Sequence, residues 1–303
     1  MQPMRIFARL LQAVLAGVLL VAVGQGVAAT PAQSQLPWTT PEPDGVQASG
    51  AALADGLTGT VLWSRGLNTP LPIASIAKVM TALVVAESGD LDRPVAVPAE
   101  SIAYCIRHDG STAGLAPGEV LTARQLLYAL MLPSGCDAAY TLAEAFGPGQ
   151  TGFLARMNGL ARQMGLTGTF FADPSGLPTP TDDATYSTPA DLIALGLRTI
   201  RQPVLRDIVG TPDYHIPAGP GNREHVWHTT NLLLGQYPGA SGIKTGYTNA
   251  AGTCLLFHTV RAGIPLIGVV LHSSPYGAVA AKDDAQRILD WVYHPIFSVL
   301  PIG

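Results

Sequence analysis

Ser75 and Lys78 stand three residues apart in Ala74-Ser75-Ile76-Ala77-Lys78, and Lys244 opens Lys244-Thr245-Gly246, 169 residues after Ser75. A serine hydroxyl is a weak nucleophile until a neighbouring base takes its proton. One helical turn puts Ser75 and Lys78 on the same face, where the lysine can be that base. Lysine suits the task because a desolvated ammonium loses its proton, whereas arginine stays charged at any useful pH. The chain has only three lysines among 17 basic residues, and two of them lie in these motifs. The third, Lys282 in Ala281-Lys282-Asp283-Asp284, reads as solvated surface.

Taken alone, Ser75-x-x-Lys78 is more simply a serine N-cap followed by an exposed lysine. The rest of the set displaces that reading. Ser134, in Pro133-Ser134-Gly135-Cys136, follows Ser75 by 59 residues and falls in a turn between two helical segments. Serine, lysine, second serine and lysine-threonine-glycine appear in the order used for acyl transfer through a serine ester.

The elements that must position these residues follow from periodicity. A hairpin over 51–64 turns at Asp55-Gly56. An apolar stripe of Ile76, Val79, Met80, Leu83 and Val84 predicts a helix over 75–87 with Ser75 at its start. Further helices are expected over 122–131, 137–146, 153–164 and 188–200, the last announced by Thr188, Pro189 and Asp191. Strands are expected over 242–248, 252–260 and 264–273, with Lys244 on the first, and a closing helix over 280–293. Strands at both ends around a helical middle imply an α+β domain whose terminal segments share one antiparallel sheet, packed with helices, beside a mainly helical subdomain.

Composition bounds the class. A 48% hydrophobic content supports a sizeable core, and a net charge of −4 with no lysine-rich run argues against nucleic acid as partner. His225 and His228 form the one close histidine pair but lack the spacing and companions of a metal site, so no metal or cofactor is expected. Cys105, Cys136 and Cys254 leave at least one thiol unpaired: a bridge from Cys105 to Cys254 and three buried single thiols are the two readings. Arg5 and Arg9, the apolar run from Leu10 to Val23 and Val27-Ala28-Ala29 have the layout of a signal peptide over 1–29. Its alternative is an uncleaved anchor, since no charge occurs between Leu10 and Glu42. Either way the chain is exported. A proline-rich linker (30–45), a single catalytic domain (46–295) and a short tail (296–303) complete the organisation.

In these motifs the chain resembles the low-molecular-mass penicillin-binding proteins that act as D-alanyl-D-alanine carboxypeptidases, within the penicilloyl-serine transferase superfamily. The likeness runs through 70–82, Leu132 to Ala139, Asp173-Pro174-Ser175-Gly176-Leu177 and, most densely, 242–248. It implies a β-lactamase/DD-peptidase-like fold. It implies that Ser75 attacks the carbonyl between two terminal D-alanines, that Lys78 is the base and that Ser134 relays the proton to the leaving D-alanine. Lys244 and Thr245 would hold the terminal carboxylate, with Lys244 keeping its charge and depressing the Lys78 pKa together with desolvation. Backbone N–H groups of Ser75 and Tyr247 would form the oxyanion hole, Gly246 would let substrate approach the strand, and Ser111 would lie in a loop near substrate. The implied partners are a peptidoglycan stem peptide ending in D-Ala-D-Ala and covalently bound β-lactams, with membrane contact only if the N-terminal segment is retained. Location would be the periplasm or outer cell face.

One position departs. The family's second motif ends in asparagine, which offers substrate an amide donor and acceptor; here Cys136 offers weak versions of each. The expected effect is altered substrate or acceptor preference without loss of acylation. A cysteine nucleophile at this position lacks a base. Of the alternatives, a DD-transpeptidase uses the same acyl-enzyme. A class A β-lactamase needs a glutamate that 167–178 does not contain. A non-catalytic sensing domain would have lost a reacting residue. Many relatives continue into a second β-rich domain and an amphipathic helix, for which the segment from Pro295 to Gly303 is too short.

Overall fold

The hairpin expected at Asp55-Gly56 forms from Gly50–Asp55 (β1) and Val61–Arg65 (β2), with Leu53 opposite Trp63. Its turn is held by the Asp55 carboxylate, which accepts from the backbone N–H groups of Leu57 at 3.0 Å and Thr58 at 2.7 Å. The structure, a computed structural model, describes residues 42–274, 277 and 279–299. The signal-peptide reading of 1–29 and most of the 30–45 linker lie outside them. No helix among the described residues is long and apolar enough to cross a membrane.

After the short strand Leu71–Pro72 (β3), the chain makes one 3₁₀ turn, Ala74–Ala77, and enters Lys78–Ala86 (α1). All nine residues of α1 are buried. A helix apolar on every side belongs at the centre of a core, and α1 occupies that place. Its two polar side chains, Lys78 and Thr81, find partners inside, Thr81 donating to the carbonyl of Pro174 at 2.6 Å.

Around α1 stand Pro94–Ala96 (β4), Ala99–Arg107 (α2), Val120–Thr122 (β5), Ala123–Met131 (α3), Cys136–Phe146 (α4) and Gly149–Gln163 (α5). Thr122 caps α3 in a reciprocal arrangement with Gln125, which explains why that helix starts where it does. Tyr186–Ser187 (β6) pairs with β3, and Pro189–Arg201 (α6) begins at the Thr188 cap with proline in its first turn. Pro203–Val209 (α7), Asp213–Ile216 (β7) and His225–His228 (β8) follow, then Ala240–Thr248 (β9), Gly252–Arg261 (β10), Ile264–Leu271 (β11) and Ala280–Val299 (α8).

The main sheet is antiparallel in the order β2-β1-β11-β10-β9, so the two chain ends share it as expected. One face buries Leu53, Leu255, Phe257 and Val270 against Ile288, Leu289 and Tyr293 of α8. The other receives α6, where a Cβ at Gly196 would stand 2.7 Å from Ile267 Cδ1, so glycine sets the close approach. β9 is left at the edge.

Three differences from the sequence reading have physical causes. Ser75 sits inside the 3₁₀ turn and does not cap α1, because Ala74 adopts φ 46° and turns the chain before the helix starts. The helix α7 and the hairpin β7–β8 are too short for periodicity to reveal, and α2 escapes it because only Ser101 and Cys105 of its nine residues are buried, so it carries little of an apolar stripe. The closing helix continues through Pro295 to Val299, past the 295 boundary.

The β7–β8 hairpin braces the loop before β5. Trp227 donates to the carbonyl of Ala113 at 2.8 Å, and Arg223 to that of Gly114 at 2.5 Å. Glu119, only 6% exposed, accepts from the backbone N–H groups of Ala116 at 2.6 Å and Arg223 at 2.7 Å and lies 3.0 Å from His225 Nε2. Burial alone would raise its pKa, but these donors outweigh it and hold the carboxyl below its usual range. Stability from such a group is full above its unfolded pKa and lost as pH falls through the folded one. Glu119→Gln is expected to cost about 1–3 kcal/mol at neutral pH, read by urea unfolding. The gap to wild type should close as the pH falls below the ordinary carboxylate range.

Candidate active site

The 3₁₀ turn presents Ser75 to a cleft of about 690 Å³, whose walls include Lys78, Ser111, Ser134, Cys136, Thr245, Gly246 and Tyr247. Ala74 at φ 46° and Ser134 at φ 66° both occupy the left-handed region that favours glycine. Each costs about 1–2 kcal/mol, which surrounding contacts must hold in place. For Ala74 that contact is Gly176, itself at φ 79°: a Cβ there would lie 1.9 Å from the carbonyl oxygen of Ala74. The edge strand closes in from the other side at Gly246, where a Cβ would be 2.8 Å from the carbonyl oxygen of Ile73.

Lys78 Nζ donates to Ser75 Oγ at 2.9 Å and to the backbone carbonyl of Ser175 at 2.8 Å. It is 2% exposed, and burial lowers its pKa to about 8, with the carboxylates of Asp173 and Asp137 pulling the other way. Lys244 Nζ is buried on β9 with no hydrogen-bond partner among the described residues. Burial first, and then the charge on Lys78, push its pKa well below the ordinary lysine range. This corrects the expectation that Lys244 keeps its charge throughout. The carboxylates sit by Lys78, so in the empty site the proton favours Lys78 and Lys244 lacks an anion.

Ser134 lies between α3 and α4, its carbonyl accepting from Ser111 Oγ at 2.6 Å, while the N–H of Cys136 donates to the carbonyl of Ser111 at 2.7 Å. The structure thus brings Ser111 to the second motif. Thr245 Oγ1 is 2.7 Å from Thr230 Oγ1 at the cleft wall. Tyr247 is half exposed, its hydroxyl donating to Asn249 at 3.3 Å.

The described part of the chain thus has a serine on an amine, a second serine and an open strand edge around one cleft, with the buried, unpartnered Lys244 amine on that strand behind the cleft's lining. A model of the family described as D-alanyl-D-alanine carboxypeptidase matches residues 38–274. The chain belongs to that family. A D-alanyl-D-alanine carboxypeptidase of Streptomyces sp. (strain K15) is 37% identical over 254 residues, covering 80% of this chain and 85% of the relative. The Mycobacterium tuberculosis carboxypeptidase DacB2 is 37% identical over 255 residues, covering 84% of each. Among solved structures, the Streptomyces K15 DD-transpeptidase superimposes with a TM-score of 0.77 at 34% identity, over 82% of this chain and 98% of that one. The fold is accordingly that of the DD-peptidases, as the motifs implied.

Within this D-alanyl-D-alanine carboxypeptidase fold, two sequence expectations are corrected. Cys136 is not a thiol: it is bonded to Cys105, joining α2 to α4, and Cys254 is the free cysteine. The pairing follows from packing, since α2 lies against α4 with Tyr104 stacked on Tyr140 at 4.2 Å, whereas Cys254 is buried in β10. Burial pushes the Cys254 thiol up to about 12. Lys282, read as solvated, is only 19% exposed in its side chain and lines the far end of the cleft, paired with Asp283 at 3.3 Å.

Sequence reasoning assigned no role to Asp137 or Asp173. Asp137, wholly buried, accepts from Thr112 Oγ1 at 2.6 Å and from the N–H groups of Ala113 at 2.9 Å and Leu115 at 3.1 Å, fixing the Ser111 loop. Its signal was an acidic residue in the first turn of a mostly apolar helix. The disulfide yields a direct check. Titration of the unfolded, unreduced chain with a thiol reagent should find one reactive cysteine, rising to three after reduction, and three before reduction would refute the bridge.

Proposed function

We propose that this protein removes the terminal D-alanine from peptides ending in D-Ala-D-Ala by way of an ester on Ser75. The contact that carries this reading is the 2.9 Å hydrogen bond between Lys78 Nζ and Ser75 Oγ, inside a site dry enough to lower the amine's pKa to about 8. Neutral Lys78 takes the Ser75 proton as Oγ attacks the carbonyl carbon between the two D-alanines. The oxyanion meets the N–H groups of Ser75 and Tyr247. The proton passes through Ser134 to the leaving amine, the C–N bond breaks and D-alanine departs. Water, giving a proton back to Lys78, then cleaves the ester and restores Ser75.

Lys244 gives the site its preference for a C-terminal carboxylate. A buried amine without a partner sheds its proton, and an incoming carboxylate supplies the acceptor that lets it take one up again. Once Lys244 holds a proton beside that carboxylate, its charge disfavours a second ammonium at Lys78, so binding substrate also frees the base. Thr245, with Thr230 beside it, adds a hydroxyl at the same wall. β-Lactams carry a carboxylate beside a strained amide and are expected to acylate Ser75. The substrate class, a peptidoglycan stem peptide, places the reaction outside the cytoplasmic membrane, in line with export by segment 1–29 or retention through it.

Transfer to an amine acceptor instead of water is the second reading. It is favoured by the structural likeness to a protein named a DD-transpeptidase. Incubation of a D-Ala-D-Ala peptide with and without an amine acceptor, followed by product analysis, separates the two.

Two outcomes are expected. Ser75→Ala should abolish both D-alanine release and labelling by a fluorescent penicillin; release that persisted in the variant would sink the proposal. The acylation rate should rise with pH, because the active Lys78 is the neutral form, with a midpoint at or below about 8.

A further inference from the structure

Asp173, in the turn that runs Asp173-Pro174-Ser175-Gly176-Leu177, is 1% exposed and does not itself line the cleft that substrate would fill. It nevertheless gathers five donors. Oδ1 accepts from the Ser175 N–H at 2.7 Å, Ser175 Oγ at 2.6 Å and the Leu177 N–H at 3.1 Å. Oδ2 accepts from Thr179 Oγ1 at 3.4 Å and from the Tyr140 hydroxyl. The turn so fixed points the Ser175 carbonyl at Lys78 Nζ, 2.8 Å away, and sets Gly176 against the strained Ala74 that precedes the nucleophile.

We propose that Asp173 is a positioning residue of the reaction: through the Ser175 carbonyl it aims Lys78 at Ser75. Its charge also tempers the effect of burial on that amine. The assignment rests on the reading of Lys78 as the base that activates Ser75. Every charged group facing Lys78 enters the balance. Asp173 on this turn and Asp137 on α4 favour the ammonium, while Lys244 on β9 opposes it. Ser175 contributes a neutral carbonyl dipole with its negative end on the amine. Asp173 differs from Asp137 in one respect: Asp137 orders the Ser111 loop, whereas Asp173 orders the group that Lys78 touches.

Tyr140 is the second part of the device. Its phenol is pushed far above the ordinary range by burial and then by the Asp173 carboxylate, so it remains a donor at all working pH values. That bond ties the turn to α4, the helix that the Cys105–Cys136 bridge fastens to α2.

Asp173→Asn keeps the shape and an acceptor oxygen but removes the charge. The experiment measures second-order acylation of the full chain by a fluorescent penicillin between about pH 6 and about pH 10, beside Ser75→Ala as the blank. The plateau rate should fall about tenfold or more, because an amide oxygen serves three donors poorly and the Ser175 carbonyl loses its aim. The acid limb should move down by about one pH unit, so that the ratio of the rate at low pH to the plateau rises about tenfold. A purely structural role would lower the rate with the limb unmoved, and that result overturns the proposal.

Should Asp173→Asn lack a cooperative unfolding transition, Tyr140→Phe decides. It leaves the charge and removes one donor, so the limb should shift upward as the carboxylate's charge acts more fully on Lys78; an unmoved limb again overturns the assignment. Failure of the underlying reading looks different: wild type would then be unlabelled, or Ser75→Ala labelled, whatever Asp173 does.

Discussion

An amine buried against a serine hydroxyl is the constraint on which the rest of this structure depends. Removing an ammonium from water costs several kcal/mol, and two lysines are buried in one site. The fold answers differently at each. Lys78 receives a backbone carbonyl, a hydroxyl and two carboxylates at longer range, so that its proton is loosened without being lost. Lys244 receives no partner among the described residues and is left to be completed by a ligand. Had both been given carboxylate partners, both would remain charged at neutral pH and neither could serve as a base. Had neither, both amines would shed their protons in the empty site.

That difference needs two scaffolds meeting at a seam. The helical part supplies Ser75 and Lys78 on a buried axis and Ser134 in a loop, while the sheet supplies Lys244, Thr245 and an unpaired strand edge. Edge strands present free N–H and C=O groups, an ordinary liability that becomes a peptide-binding surface when a cleft covers it. The seam is tight because glycines stand where backbones touch: Gly246 against Ile73, and Gly176 against Ala74. Larger residues there would move Ser75 away from Lys78. The positive φ values of Ala74 and Ser134 flank the cleft for the same reason, since local strain is tolerated only where neighbouring contacts fix the chain.

Much of this was legible in the sequence, and the parts that were not share a cause. The motif residues Ser75, Lys78, Ser134 and Lys244 could be found because lysine is scarce and the spacings are ordered. Helices α3, α4 and α6 could be placed because Thr122, Asp137 and Thr188 stand at or just inside their N-termini. Local patterns are silent about pairings that only tertiary packing creates. Cys105 meets Cys136 because α2 stacks on α4, and no spacing rule distinguishes that bridge from one to Cys254. Lys282 looked solvated beside two aspartates, yet the start of α8 faces the cleft. The unequal proton affinities of Lys78 and Lys244 were beyond sequence reasoning because they depend on which lysine the carboxylates sit beside, and Asp137 and Asp173 lie 59 and 95 residues from Lys78.

Asp173 also bears on how the acyl-enzyme is resolved. It lies in the stretch, 167–178, where a class A β-lactamase would need a glutamate to activate water. An aspartate there could in principle take that part, but both of its oxygens are already occupied, one by three donors and one by two. A carboxylate saturated in this way is a poor acceptor for one more proton-bearing water. On the proposed reading deacylation then falls to Lys78, the amine assigned to acylation. On that reading the site holds a single base, and the five donors on Asp173 are what withhold a second one.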